Sequence, residues 1–283
     1  MGKAGKMGMT KSRYISHGIL YVFLIIASYY LMFPFLWMLS SSFKAELEIF
    51  QFPIRWIPDN LFPVNYIRVW NAINYARLLW NTVFITFMVT FLQVLTCSLA
   101  GYAFSKIKFP ERNAIFIAYL ATLMVPFQVI MIPQFIIIRN LGLTNTPWAL
   151  ILIQAFSPFG VFMMRQFFLN IPFELSEAAR IDGLGEFGIY SRIILMLSKP
   201  AIASLIIFTS VNTWNDFLGP LIYLHSAERQ TIQLGLRSFF GEFTADYGGI
   251  MAGATLSVLP ILIVFIFLQR FFVEGIAMSG IKG

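Results

Sequence analysis

The chain has 283 residues, 58% of them hydrophobic and only 12% charged, and its mean hydropathy is +0.76. Soluble domains carry roughly 25% charged residues, so this composition excludes a soluble enzyme and places most of the chain in or against a bilayer. The formal net charge of +7 then belongs to basic flanks drawn to anionic lipid, not to a nucleic-acid surface.

The start, MGKAGKMGMTKSRYISHG, is basic, and the apolar run after it continues to about Leu39 with no small-x-small cleavage pattern. It reads as a retained first helix, not a signal peptide. Lys6 stands where a myristoylation signal needs Ser or Thr. A spanning helix takes roughly 20 mainly apolar residues, and segments at about 15–40, 79–104, 113–138, 147–169, 201–223 and 250–271 qualify. Pro126 and Pro133 interrupt the third. The expected fold class is an all-α polytopic membrane protein, one domain over 1–283 with six spans and an inside loop at 170–200. An inside N-terminus puts most of the 20 basic residues in inside segments. An even number of spans then returns the C-terminus to the same side, so both termini are predicted cytoplasmic.

Between the first two spans, the stretch from Lys44 to Arg77 is rich in Trp, Tyr, Phe and Pro. Such residues favour the headgroup zone, and the stretch reads either as a docking surface for an outside partner or as an aromatic belt. The second span carries Thr82, Thr86, Thr90, Gln93 and Thr96 along roughly one stripe, and the fourth carries Gln154 and Ser157. Cys97, the single cysteine, lies in the second span and excludes a disulfide within the chain.

In the fifth span, Asn212, Asn215, Asp216 and Gly219 fall at i, i+3, i+4 and i+7, one face of a continuous helix. An ionised carboxylate at the bilayer centre costs on the order of 2.5–3.5 kcal/mol on the most lenient scale, so Asp216 requires water, a donor or a partner subunit. Gln93, Gln154, Asn212, Asn215 and Asp216 are the candidate pathway residues, suited by their amides to a polyhydroxylated solute. Interhelical packing is the alternative, with Asn and Asp capping a helix broken at Gly219-Pro220.

The inside loop holds ELSEAARIDGLGEFGIYSRIILMLSKP, ending at Pro200. Asn170 offers an N-cap, Pro172 a first-turn residue, Glu174 and Glu177 acids at the positive end of the dipole, and Gly183 a stop. These predict a helix of about three turns with Leu175, Ala178 and Ala179 on one face and Glu177 paired to Arg180. A second helix is predicted from Glu186, with Phe187, Tyr190, Ile194 and Leu197 at helical spacing. Such a helix–turn–helix can carry force from a soluble partner to the fifth span, or lie in the interface held by lipid alone.

This loop resembles the EAA signature of permease subunits in binding-protein-dependent ABC importers. Glu177, Ala178, Ala179, Asp182, Gly183, Ile193 and Leu195 match it, while Met196 stands where the family usually has Pro. Further stretches are similar to the six-helix permease of the maltose and multiple-sugar branch: SSFK at 41–44, WIP at 56–58, AGYAFSKIKFP at 100–110, WND at 214–216 and the SGIKG tail. The resemblance covers essentially the whole chain. It implies a subunit of the prokaryotic inner membrane that forms a sugar or oligosaccharide pathway with a second, longer permease. It also implies an outside solute-binding protein and two cytoplasmic ATPases, which hold the ATP and Mg. By the same resemblance Glu174, Glu177, Ala178, Ala179, Arg180, Asp182 and Gly183 form a coupling helix, and Lys282 reaches towards the ATPases.

No GxxxxGK[ST] phosphate loop, metal-ligand spacing or nucleophile–base pair occurs in the chain, so no catalytic centre, cofactor or metal is expected in it. An ion-driven transporter with Asp216 as its ion site is the competing class. It fits the polar face but leaves the EAA loop unexplained.

Overall fold

The computed structural model describes residues 11–58, 60–241 and 245–280, with side chains from 17 to 271. Among the described residues the chain is helical, with one isolated antiparallel bridge, Phe240 with Ala245. A lipid-facing backbone dictates this, because a helix satisfies its own N–H and C=O groups where no water can.

Among the described residues, three helices are continuous, apolar and long enough to cross a membrane: His17–Ser42, Tyr75–Lys106 and Tyr247–Phe271. The last runs on beyond its predicted end, as Tyr247–Gly280. The other expected spans are bent pairs. Arg112–Met124 and Phe127–Asn140 meet at 100°, and Pro147–Gln154 and Pro158–Leu169 at 42°. At 100° the first pair is no single rod. Pro126, which lacks an N–H and holds Val125 extended (ψ 114°), ends the preceding turn, whereas Pro133 lies inside an unbroken helix. In the second pair the Ser157 hydroxyl accepts from Gly160 N at 3.1 Å, capping the helix that Pro158 begins.

The fifth segment departs most from expectation. Its helix, Lys199–Trp214, stops at Asn215 and resumes only at Leu218–Tyr223, so no continuous helix face carries Asn212 to Gly219. The break lies just before Gly219-Pro220, because Asp216 Oδ1 takes the Gly219 N–H at 3.1 Å and so caps the second piece. Lys199–Trp214 itself turns by 80° from the preceding Glu186–Leu197 helix. That bend forms without a proline at 196. Ser198 leaves the helical region and Pro200 opens the next helix.

The Tyr75–Lys106 helix is the axis of the molecule and contributes to each of its three apolar clusters. Cys97 and Tyr102 pack with Met164, Phe168 and Tyr190 at one end; Ile85 and Val89 with Leu150 and Tyr223 in the middle; Tyr75 and Leu78 with Val69 and Trp214 at the other end. Close approach to Pro158–Leu169 depends on two glycines. A Cβ on Gly101 would sit 2.8 Å from Met164 Cβ and 3.0 Å from Arg165 N, and one on Gly160 would sit 2.7 Å from Cys97 Sγ. Gly101→Val is therefore expected to force the pair apart and cost about 1–3 kcal/mol. A clear drop in the midpoint of thermal unfolding in detergent, against little change for an exposed Leu99→Val control, is the measurement that checks it.

The 44–77 stretch is less of a free loop than its composition suggests. Asn65 Nδ2 donates to Ser42 O and Lys44 O at 3.0 and 2.9 Å, Tyr66 and Ser42 hydroxyls share a hydrogen bond, and Arg68 pairs with Asp246 at 2.7 Å. Its most exposed apolar side chains are Leu47, Phe52 and Ile57, each more than 80% exposed. The first helix is apolar and largely exposed over His17–Leu36, so lipid or another subunit must cover it.

Candidate functional site

The broken fifth segment and the end of Pro147–Gln154 open a cleft of about 520 Å³ whose lining includes Gln154, Asn212, Asn215 and Asp216. Phe127, Phe217 and Tyr223 supply its aromatic walls. Gln154 is the hub. Its Nε2 donates to Asp216 Oδ2 at 2.9 Å and its Oε1 accepts from Thr213 Oγ1 at 3.0 Å. Asn212 and Asn215 are exposed; Asn215 Nδ2 donates to Val211 O at 2.9 Å. Four of the five candidate pathway residues thus meet, although not by helical spacing.

Gln93 does not line the cleft. Its Nε2 donates to Gln154 O at 2.7 Å and its Oε1 accepts from Thr209 Oγ1 at 2.8 Å, so it holds Gln154 from behind. Of the stripe's four threonines, three are likewise bonded within the protein, while Thr86 is buried with no hydrogen-bond partner among the described residues. Thr82 donates to Leu78 O and accepts from Ile232 N, Thr90 meets Ser210, and Thr96 donates to Ala155 O. Nothing in the local sequence marks Thr209 and Thr213, whose hydroxyls gain their meaning only from the partner helices they bond.

At the other end of Tyr75–Lys106 lies the charged loop. The Glu174–Ile181 helix has eight residues rather than three turns, and Phe173 precedes it, not Asn170, which instead closes Pro158–Leu169. Its stop is as expected. Gly183 has φ +85°, its N–H bonds Arg180 O at 3.0 Å, and Leu184 N bonds Ala179 O at 2.9 Å, a Schellman ending. Ala179 and Ser176 face the core, whereas Leu175, Glu177, Ala178 and Ile181 are exposed. The predicted common face of Leu175, Ala178 and Ala179 is therefore split.

Arg180 does not pair with Glu177. Its Nε and Nη2 donate to Glu186 Oε1 at 2.9 and 2.7 Å across the glycine turn, and Tyr102 OH donates to Glu186 Oε2 at 2.6 Å. Two charge-assisted N–H bonds to one carboxylate oxygen replace the expected i, i+3 contact. In the second helix a π-helical turn at Tyr190–Ile194 shifts the register, burying Ile189, Tyr190 and Ile194 while Phe187 and Leu197 stay exposed.

The Tyr102 hydrogen bond and Arg180 hold the Glu186 carboxyl below its ordinary value against the opposing effect of burial. A depressed acid stabilises the fold above its unfolded pKa, about 4.3, and that contribution is lost as pH falls through the folded value. Hydrogen exchange over 180–190 is thus expected to be flat from pH 5 to 8, once corrected for intrinsic rates, and to rise in stronger acid. In Glu186→Gln the acid-induced rise should be absent.

Residues 93–278, which include both the cleft and the charged loop, match the family of binding-protein-dependent transport system inner membrane components. The chain belongs to that family. It is 37% identical over 257 residues to the arabinooligosaccharides transport system permease protein of Halalkalibacterium halodurans, covering 89% of this chain and 91% of the relative. It is 33% identical over 273 residues to the lactose transport system permease protein of Rhizobium radiobacter, covering 96% and 99%. In fold it is similar to a chain of a bacterial ABC transporter involved in alginate import, with a TM-score of 0.81 at 22% identity over 93% of this chain and 99% of the other. The chain is therefore a membrane permease subunit of an ABC importer and not itself an enzyme. Lys282 lies outside the described residues.

Proposed function

We propose that this permease forms, with a second and longer permease, the pathway of an importer for a sugar or oligosaccharide. Its loop at 170–200 is the contact for two cytoplasmic ATPases, which hold the ATP and Mg. Both termini lie on the cytoplasmic side, and an outside binding protein delivers the solute. The observation that carries the reading is the outward face of Glu174–Ile181. Ile181 is 87% and Leu175 42% exposed, with Ala178 beside them, on a helix whose other face is locked to the core. An apolar, small-residue face fixed on a rigid, glycine-stopped helix fits a cleft on a soluble subunit. The amides and aromatic walls of the cleft, together with the sugars named for the relatives, support a carbohydrate solute.

The test is uptake into proteoliposomes containing the purified complex, with a panel of labelled oligosaccharides, lactose among them. Uptake that needs ATP on the loop side and the binding protein on the other supports the proposal. Uptake driven by an ion gradient with no ATPase present overturns it.

A further inference from the structure

Sequence spacing directs force from the inside loop into the fifth segment, the chain's next element. The bonding of the loop runs elsewhere. Ser98, Tyr102 and Lys106 recur every four residues, on one face of Tyr75–Lys106, and each is bonded to a different part of the loop. Ser98 Oγ and Tyr190 OH share a buried hydrogen bond of 2.7 Å. Tyr102 OH donates to Glu186, whose other oxygen holds Arg180 of the preceding helix. Lys106, only 4% exposed, donates from Nζ to Ile171 O at 2.5 Å, at the start of the loop. The Phe173 ring lies 6.0 Å from Lys106 Nζ, 5.4 Å from Lys108 Nζ and 5.5 Å from the Arg180 guanidinium. About 20 Å along the same helix from Lys106, at 1.5 Å per residue, Gln93 bonds the main chain of Gln154, hub of the cleft.

We infer that the Tyr75–Lys106 helix is the lever joining the loop to the cleft, with Tyr102 and Lys106 as positioning residues that fasten its inner end. The inference rests on the reading of the loop as the ATPase contact. A loop held by three polar bonds and a buried apolar cluster moves with the helix it is bonded to. The 80° bend at Ser198 makes the covalent route into the fifth segment the softer one. Tyr102 and Lys106 touch neither solute nor ATP. They act by keeping loop and helix one body.

The test uses the complete complex and no solute. Asn212→Cys places a thiol in the cleft, where the native Cys97 is buried, and its labelling by an impermeant maleimide is timed with and without a non-hydrolysable ATP analogue. Ala178→Cys, in a separate chain, reports cross-linking to the ATPase. In the parent the analogue is expected to change the Asn212→Cys rate about tenfold, within the usual range for coupled sites. Tyr102→Phe with Lys106→Met should erase that change while the Ala178→Cys cross-link still forms. Tyr102→Phe alone, which keeps the ring, should weaken it, and Lys106→Arg, which keeps the donor, should restore most of it in the Tyr102 background. If the cross-link forms and the double variant keeps the parental tenfold change, the lever is overturned and the ATPase contact stands. No cross-link and no analogue effect in the parent overturns both.

Discussion

Gly183→Pro is expected to leave the permease in the membrane and assembled with its partners while transport falls by more than about tenfold, the factor that corresponds to 1.4 kcal/mol. Gly183 sits at φ +85°, and a proline ring fixes φ near −65°, so the Schellman ending cannot form. The substitution also removes the N–H that bonds Arg180 O, and with the turn lost Leu184 N no longer reaches Ala179 O. Arg180 and Glu186, which face each other only because the chain reverses there, separate. Nothing lies within 4 Å of a Cβ built at this glycine, so Gly183→Ala meets no clash and bears only the left-handed strain of about 1–2 kcal/mol. Asn tolerates that region better still. The expected order of uptake per ATP hydrolysed is Gly, Asn, Ala, then Pro far below. Parental coupling in the Pro variant, measured on complexes shown intact by size-exclusion chromatography, would remove the loop from the coupling role.

That series also marks what local sequence could and could not reveal. A glycine after a charged, alanine-bearing helix announces its own φ, and the three continuous helices announce themselves by length and apolarity, so both were legible. The pairing of Arg180 was not. Glu177 is its neighbour at i, i+3, and nothing in the local pattern says that a reversal brings Glu186 closer or that Tyr102, far away in sequence, takes the other oxygen. The fifth segment fails for a related reason. Helical spacing assumes a helix that persists, and Asp216 ends it by capping the next piece through Gly219 N. Gln154, Asn212, Asn215 and Asp216 still line one cleft, brought there by the break and not by helical spacing. Gln93 is the converse case: a polar residue in an apolar span suggests a pathway, yet both ends of its amide are bonded to other helices.

Gln154→Leu is expected to cost the permease more transport than either exposed asparagine does when replaced by Leu. The side chain of Gln154 ties the first piece of the broken fifth segment to the break, accepting from Thr213 on that piece and donating to Asp216, whose other oxygen caps the second piece. Leucine fills a similar volume but returns neither bond, and each polar group stranded away from water costs about 1–3 kcal/mol. Asp216 keeps its bond from Gly219 N but loses its side-chain donor, so its free oxygen turns towards the cleft in search of water. Gln93 still reaches the main-chain oxygen of residue 154, so the packing of the Tyr75–Lys106 helix survives and the complex should assemble. Transport is therefore expected to fall about tenfold or more at parental expression, with Asn212→Leu and Asn215→Leu each milder because both are exposed and span no break. Gln154→Glu sets one carboxylate against another at the distance of a hydrogen bond, and its loss should ease as the pH is lowered enough to protonate one of the pair. Uptake by Gln154→Leu equal to the parent, with the solute preference unchanged, would make the bridge a packing device and move the pathway to the partner permease.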